Sequence, residues 1–157
     1  MATTAAAFPD GAPWEAAEQE GCGQCHFDVP VVNDSSAVSI VGLPDRIVAG
    51  AVYRLTLELM ADDMLRAGFL LSAKHGEEPG GRFTATDART MTLNAQARST
   101  QTGSVRSQSG KMLWTLEWTA PESIDRPIVL DVWTNSANDD NSPFGDATHH
   151  RIWRLSP

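Results

Sequence analysis

Val52-Tyr53-Arg54-Leu55-Thr56-Leu57-Glu58-Leu59-Met60 decides the fold class. Tyr53, Leu55, Leu57 and Leu59 fall on one side of an extended chain, and Arg54, Thr56 and Glu58 on the other. Successive side chains of a strand point to opposite faces, so a period of two marks a strand with one face buried and one face wet. The same period returns at residues 112–119, where Met112, Trp114, Leu116 and Trp118 oppose Leu113, Thr115, Glu117 and Thr119. Between these lies residues 66–74, with Ala67, Phe69, Leu71 and Ala73 on one face.

Working outward, Val38-Ser39-Ile40-Val41 reads as a strand stopped by Gly42-Leu43-Pro44-Asp45, and Ala49-Gly50 as a turn. Further strands are predicted at residues 82–85, more weakly at 90–96, then at 128–134 and 148–155. The polar, glycine-bearing stretch 98–111 and the Asn/Asp-rich stretch 135–146 read as excursions between them. Seven or eight short strands with almost no helix predict an all-β, antiparallel, immunoglobulin-like sandwich over residues 37–157.

The chain has 157 residues, 41% hydrophobic and 20% charged, enough for one domain with a real core. Its net charge of −8 argues against nucleic acid and anionic membrane surfaces as partners, and would steer in a basic one. No apolar run approaches the ~20 residues of a membrane span. Met1 to Ala7 has neither a basic stretch nor a long apolar one, so no signal peptide is expected in this chain.

Residues 1–36 have a different character. A small, polar arm with Pro9 and Pro13 leads into a predicted short helix over residues 14–20, which Pro13 would open and Gly21 would end. Gly21-Cys22-Gly23-Gln24-Cys25-His26 follows, holding both cysteines of the chain and one of its four histidines. Cys-x-x-Cys-His is the attachment pattern of a c-type haem. Each thiol adds to a vinyl group as a thioether, and the histidine binds the iron through a neutral imidazole nitrogen. Two other readings stay open: a Cys22–Cys25 disulfide, or part of a zinc site that would need one more ligand. Pro30 argues against the helix that follows a thioredoxin-type pair.

The ordered set of Cys22, Cys25, His26, Pro44, Gly50, Tyr53, Gly68-Phe69, Ala73, Gly81, Phe83, Trp114, Trp118-Thr119-Ala120-Pro121, Asn135 to Asn138 and Gly145-Asp146 spans most of the chain. It resembles the reeler-like "choice-of-anchor V" domains. The resemblance implies a reeler-like β-sandwich in an exported protein, often anchored or appended to something larger. It also implies a Cys-x-x-Cys-His near the N-terminus. Family members commonly carry a His-Thr pair before the tryptophan strand; Gln101-Thr102 stands there in this chain, so a role for that histidine is not carried over.

The expected function is therefore a monohaem c-type cytochrome. It would move single electrons in the periplasm or outside the cell, its signal peptide already removed, and would not itself be an enzyme. Haem c would be held by Cys22 and Cys25, with His26 as axial ligand and Phe27 and Trp14 as packing neighbours. The partner would be a basic redox protein or another haem protein. For the sixth iron position, His149 and His150 lead, with Met60 and Met64 behind them; Arg151 would pair with a propionate. His75 reads as a surface residue, Met91 and Met112 as core, and Asp139, Asp140, Asn141 and Asp146 as turn chemistry. The alternatives are a non-redox binding module with a Cys22–Cys25 disulfide, and a haem enzyme or sensor with an open iron site.

Overall fold

The structure is a computed structural model that describes residues 11–19, 21–26, 29–62, 64–108, 110–138 and 145–157. Phe27, Asp139, Asp140 and Asn141 lie outside the described residues. The described strands are β1 (Val32–Asn33), β2 (Val38–Val41), β3 (Val52–Met60), β4 (Arg66–His75), β5 (Glu78–Pro79), β6 (Arg82–Ala85), β7 (Thr90–Leu93), β8 (Gln96–Ser99), β9 (Lys111–Thr119), β10 (Ile128–Ala137) and β11 (Ala147–Leu155). The chain is all-β. Its helical segments among the described residues are short 3-10 turns.

Two sheets face each other. The larger runs β1-β11-β10-β4-β8-β7, with β5 pairing on β4; the smaller runs β2-β3-β9-β6. Among the described residues every strand pairing is antiparallel except β1 with β11, which is parallel, so the larger sheet is mixed, not purely antiparallel as expected. The alternation of β3 and β9 puts Leu55, Leu57, Leu59, Met112, Trp114, Leu116 and Trp118 inward, each at most 1% exposed. Against them stand Phe69, Leu71, Leu130 and Val132 of the larger sheet. Burying each such leucine contributes about 1.5–3 kcal/mol relative to leaving it in water. The two buried indoles also find acceptors: Trp114 Nε1 donates to Gly103 O at 2.8 Å and Trp118 Nε1 to Gly80 O at 2.9 Å.

The structure departs from the sequence reading at three weak points. The single strand expected over 90–96 is a hairpin, with β7 and β8 joined through Asn94 at φ +52°; a short Asx residue tolerates that backbone. The loop after His75 returns as β5. The connector after Pro30 contains β1, so the arm joins the sheet before residue 37. Two-residue strands carry too few side chains to show a period.

Leu70 breaks the inward-outward rule. It pairs with Trp133 and Arg98 in register, on the side of β4 opposite Phe69 and Leu71, yet it is 1% exposed. Something must cover the outer face of the larger sheet there.

Candidate functional site

The N-terminal arm is that cover. Pro13, with φ −55°, opens a 3-10 turn over Trp14–Glu18. Ala16 and Ala17 pack on Leu70, flanked by Ala12, Trp14 and Trp133. Arg98 of β8 pins the arm: its guanidinium lies 4.3 Å over the Trp14 ring, and Nη1 donates to Ala12 O at 2.6 Å. The predicted helix is thus present as this shorter, tighter turn.

Gly21 then brings the chain down onto Trp133. Its φ is +55°, and a Cβ there would run into the Trp133 indole. Only glycine meets both demands. Gly21–Gln24 forms a second 3-10 turn, and the amides of Cys25 and His26 both donate to Cys22 O, at 3.3 and 3.1 Å. Cys22, Cys25 and His26 are therefore gathered by one turn of backbone seated on one tryptophan. The two thiols are unbridged and each residue is half-buried. Burial pushes the Cys22 thiol up to about 12, with the charge of Cys25 adding to the effect.

His26 Nδ1 lies 3.0 Å from Asp146 Oδ2, just before β11. Asp146 is 3% exposed. Its Oδ2 also accepts from Asn135 Nδ2 at 3.1 Å, and Asn135 Oδ1 accepts from the Thr148 hydroxyl at 3.1 Å. The bonds share one direction: Thr148 donates to Asn135, Asn135 donates to Asp146, and a carboxylate offers only acceptors. In the neutral ring the proton of His26 is then on Nδ1, which leaves the lone pair on Nε2.

The remaining candidates are divided by face. His150 shares the face of the motif: it stacks on Trp133 with ring centroids 4.0 Å apart. Its Nε2 lies 2.8 Å from Asp131 Oδ1 and its Nδ1 3.2 Å from Asn33 Oδ1. His149 points the other way, into the sandwich, with Nδ1 2.8 Å from Ser35 Oγ, and burial holds its pKa below the ordinary histidine value. Arg151 shares the face of His149. It donates from Nη1 to Val38 O at 2.7 Å and lies over Trp153, away from Cys22 and Cys25. Met64 and Met112 are core residues and Met60 is exposed; Met91, expected in the core, is exposed too, on the edge strand β7. His75 pairs with Asp125 at 2.9 Å.

The fold thus brings Trp14, Cys22, Cys25, His26 and His150 to one face. It keeps His149, Arg151, Met64 and Met112 from it. Among the described residues, no three His, Cys, Asp or Glu side chains converge as a metal cage. Sequence reasoning missed Trp133, Asn135 and Asp146 as site residues. Trp133 did leave a signal: in β10 it alternates with the inward Val132 and Leu130, so a large indole had to lie on a face that only another segment could cover. Asp146 left none beyond Gly145-Asp146 at the entry to the last strand, which reads as a turn.

Fold and site together define a class: a reeler-like β-sandwich with a Cys-x-x-Cys-His turn laid on the outer face of its larger sheet. The chain is similar to the human F-spondin reeler domain (fragment 1), at 16% identity and a TM-score of 0.61, over 82% of this chain and 94% of that one. It is similar also to the Reelin-N domain of F-spondin, at 17% identity and 0.61, over 83% and 93%. A second fragment of the human F-spondin reeler domain gives 18% identity and 0.52, over 82% and 96%. At these identities the likeness is one of fold. No protein-family model and no curated protein matches the chain.

Proposed function

We propose that this protein is a monohaem c-type cytochrome: a reeler-like sandwich whose arm carries haem on Cys22 and Cys25 and holds its iron through His26. The observation that carries the reading is the turn itself. Two unbridged thiols and a histidine leave one turn of backbone, and the histidine ring is oriented through Nδ1 by a buried carboxylate. Histidines that bind metals are oriented in this way, since the partner of one nitrogen selects the other as ligand. The bound haem would supply a one-electron couple. The chain supplies the two anchors, the oriented ring and the Trp133 wall beneath the turn.

Attachment belongs before the arm docks. A thiol at about 12 holds almost no thiolate near neutral pH and is a poor nucleophile, so Cys22 is better placed to add to a vinyl group while still in water. Such attachment requires reduced thiols in an exported compartment, which makes the chain periplasmic or extracellular. The net charge of −8 suits a basic redox partner or another haem protein.

An open iron site is the second reading, and one observation favours it. Both ring nitrogens of His150, the candidate sharing the motif's face, already have oxygen partners. The test is production in a host with haem-maturation machinery, followed by a haem stain on a denaturing gel, where only covalent haem survives. A stained band is expected; a colourless protein would end the haem reading and favour the binding module. Carbon monoxide added to the reduced protein then separates the rest. No binding marks a six-coordinate carrier, and rapid complete binding marks the open site.

A further inference from the structure

We infer that Asp146 is a positioning residue that sets the reduction potential of this site, acting through His26 and resting on the haem reading above. Its carboxyl is buried, lies 3.0 Å from His26 Nδ1, and is itself held by Asn135, which is held in turn by Thr148. Asn135 of β10 and Thr148 of β11 thus hold Asp146, which precedes β11, with one oxygen atom beside one ring nitrogen. A surface staple for the arm would not need this. The arm is already fixed by Arg98 on Trp14 and by Ala16 and Ala17 on Leu70.

The chemical consequence follows from charge. A neutral acceptor at Nδ1–H, such as a backbone carbonyl, only orients an imidazole. A carboxylate also pulls on the Nδ1 proton and pushes electron density toward Nε2, which raises the basicity of the ligand. A more basic axial nitrogen stabilises ferric over ferrous iron, and so lowers the potential. Low solvent exposure of Asp146 strengthens the effect, because the interaction is poorly screened there. The carboxylate therefore lowers the potential relative to a site whose histidine faces a neutral acceptor.

Asp146→Asn keeps the size of the side chain and removes the charge. In the haem-loaded full chain, spectroelectrochemical titration should show the potential rising by about 59 mV, a tenfold shift of the one-electron equilibrium. Asp146→Glu, which keeps the carboxylate, should recover part of that change. Arg98→Ala, which loosens the arm elsewhere, should lower thermal stability and leave the potential in place. An unchanged potential in Asp146→Asn would overturn the inference, and so would an equal rise in Arg98→Ala. A separate readout needs no haem. Nitrogen-15 spectra of the haem-free full chain near neutral pH should show His26 with its proton on Nδ1, and Asp146→Asn should release the Nε2–H form. A haem-free wild type whose neutral ring carries its proton on Nε2 refutes the positioning role. A failed haem stain refutes the function above while this measurement still decides Asp146.

Discussion

On the inner face of the larger sheet, Phe69, Leu71, Leu130 and Val132 pack with the smaller sheet's leucines and tryptophans in one buried cluster. On the outer face, Leu70, Trp133, Asn135, Thr148 and His150 meet the docked arm and the turn that carries Cys22, Cys25 and His26. The same three strands, β4, β10 and β11, build both faces. The inner one is held by area and shape. The outer one is held by a few directed contacts: a cation over a ring, a glycine on an indole, a histidine on a carboxylate. Stability is therefore concentrated on one side, and function can sit on the other without disturbing it.

The largest test of that contrast pairs two tryptophans. Trp118 is fully buried and its indole N–H satisfies Gly80 O, so Trp118→Ala opens a cavity and orphans a carbonyl. A loss of about 3–5 kcal/mol is expected in urea unfolding. Trp133→Ala should cost less, because its ring is only half-buried and packs against the arm, not the core. Its larger effect should be local: Cys22 loses cover and reacts faster with iodoacetamide in the haem-free protein. Equal stability losses, or an unchanged alkylation rate, would break the distinction between the faces.

Gly21→Ala is the next largest. The left-handed backbone costs an alanine about 1–2 kcal/mol, and the methyl group strikes Trp133 besides. Faster amide exchange is expected at Cys25 and His26, whose N–H groups close the turn on Cys22 O, with β3 and β9 unchanged. Uniformly faster exchange throughout the domain would show that the arm and the sandwich unfold as one unit.

The inner face was legible in the sequence for a physical reason. Burial on one side of a strand writes itself every second residue, and Leu55, Leu57, Leu59, Met112, Trp114, Leu116 and Trp118 all lie where that period puts them. Cys22, Cys25 and His26 stood out because they form one motif within five consecutive residues. The rest of the outer face was not. Asp146 is remote in sequence from His26, and Asn135 and Thr148 share a face only once β10 and β11 are in register. Periodicity is silent about which segment will cover a face, so Trp133 announced a cover without naming it. The adjacent histidines show both sides of this: alternation separates His149 from His150, but only the docked arm makes the face of His150 the one that matters.

The smallest effect expected lies on the inner face and turns on His149. Burial holds its pKa below the ~6.5 of a free histidine. Between those two values the unfolded chain binds a proton that the folded chain does not, so stability increases with pH through this window. The contribution is complete above ~6.5 and is lost as the pH falls from there toward the folded value. His149→Asn can keep a bond to Ser35 Oγ while removing the titration. Urea midpoints measured from neutral to mildly acid pH should fall less steeply in His149→Asn than in the parent. Parallel profiles would show that burial of His149 does not set the acid sensitivity of the domain.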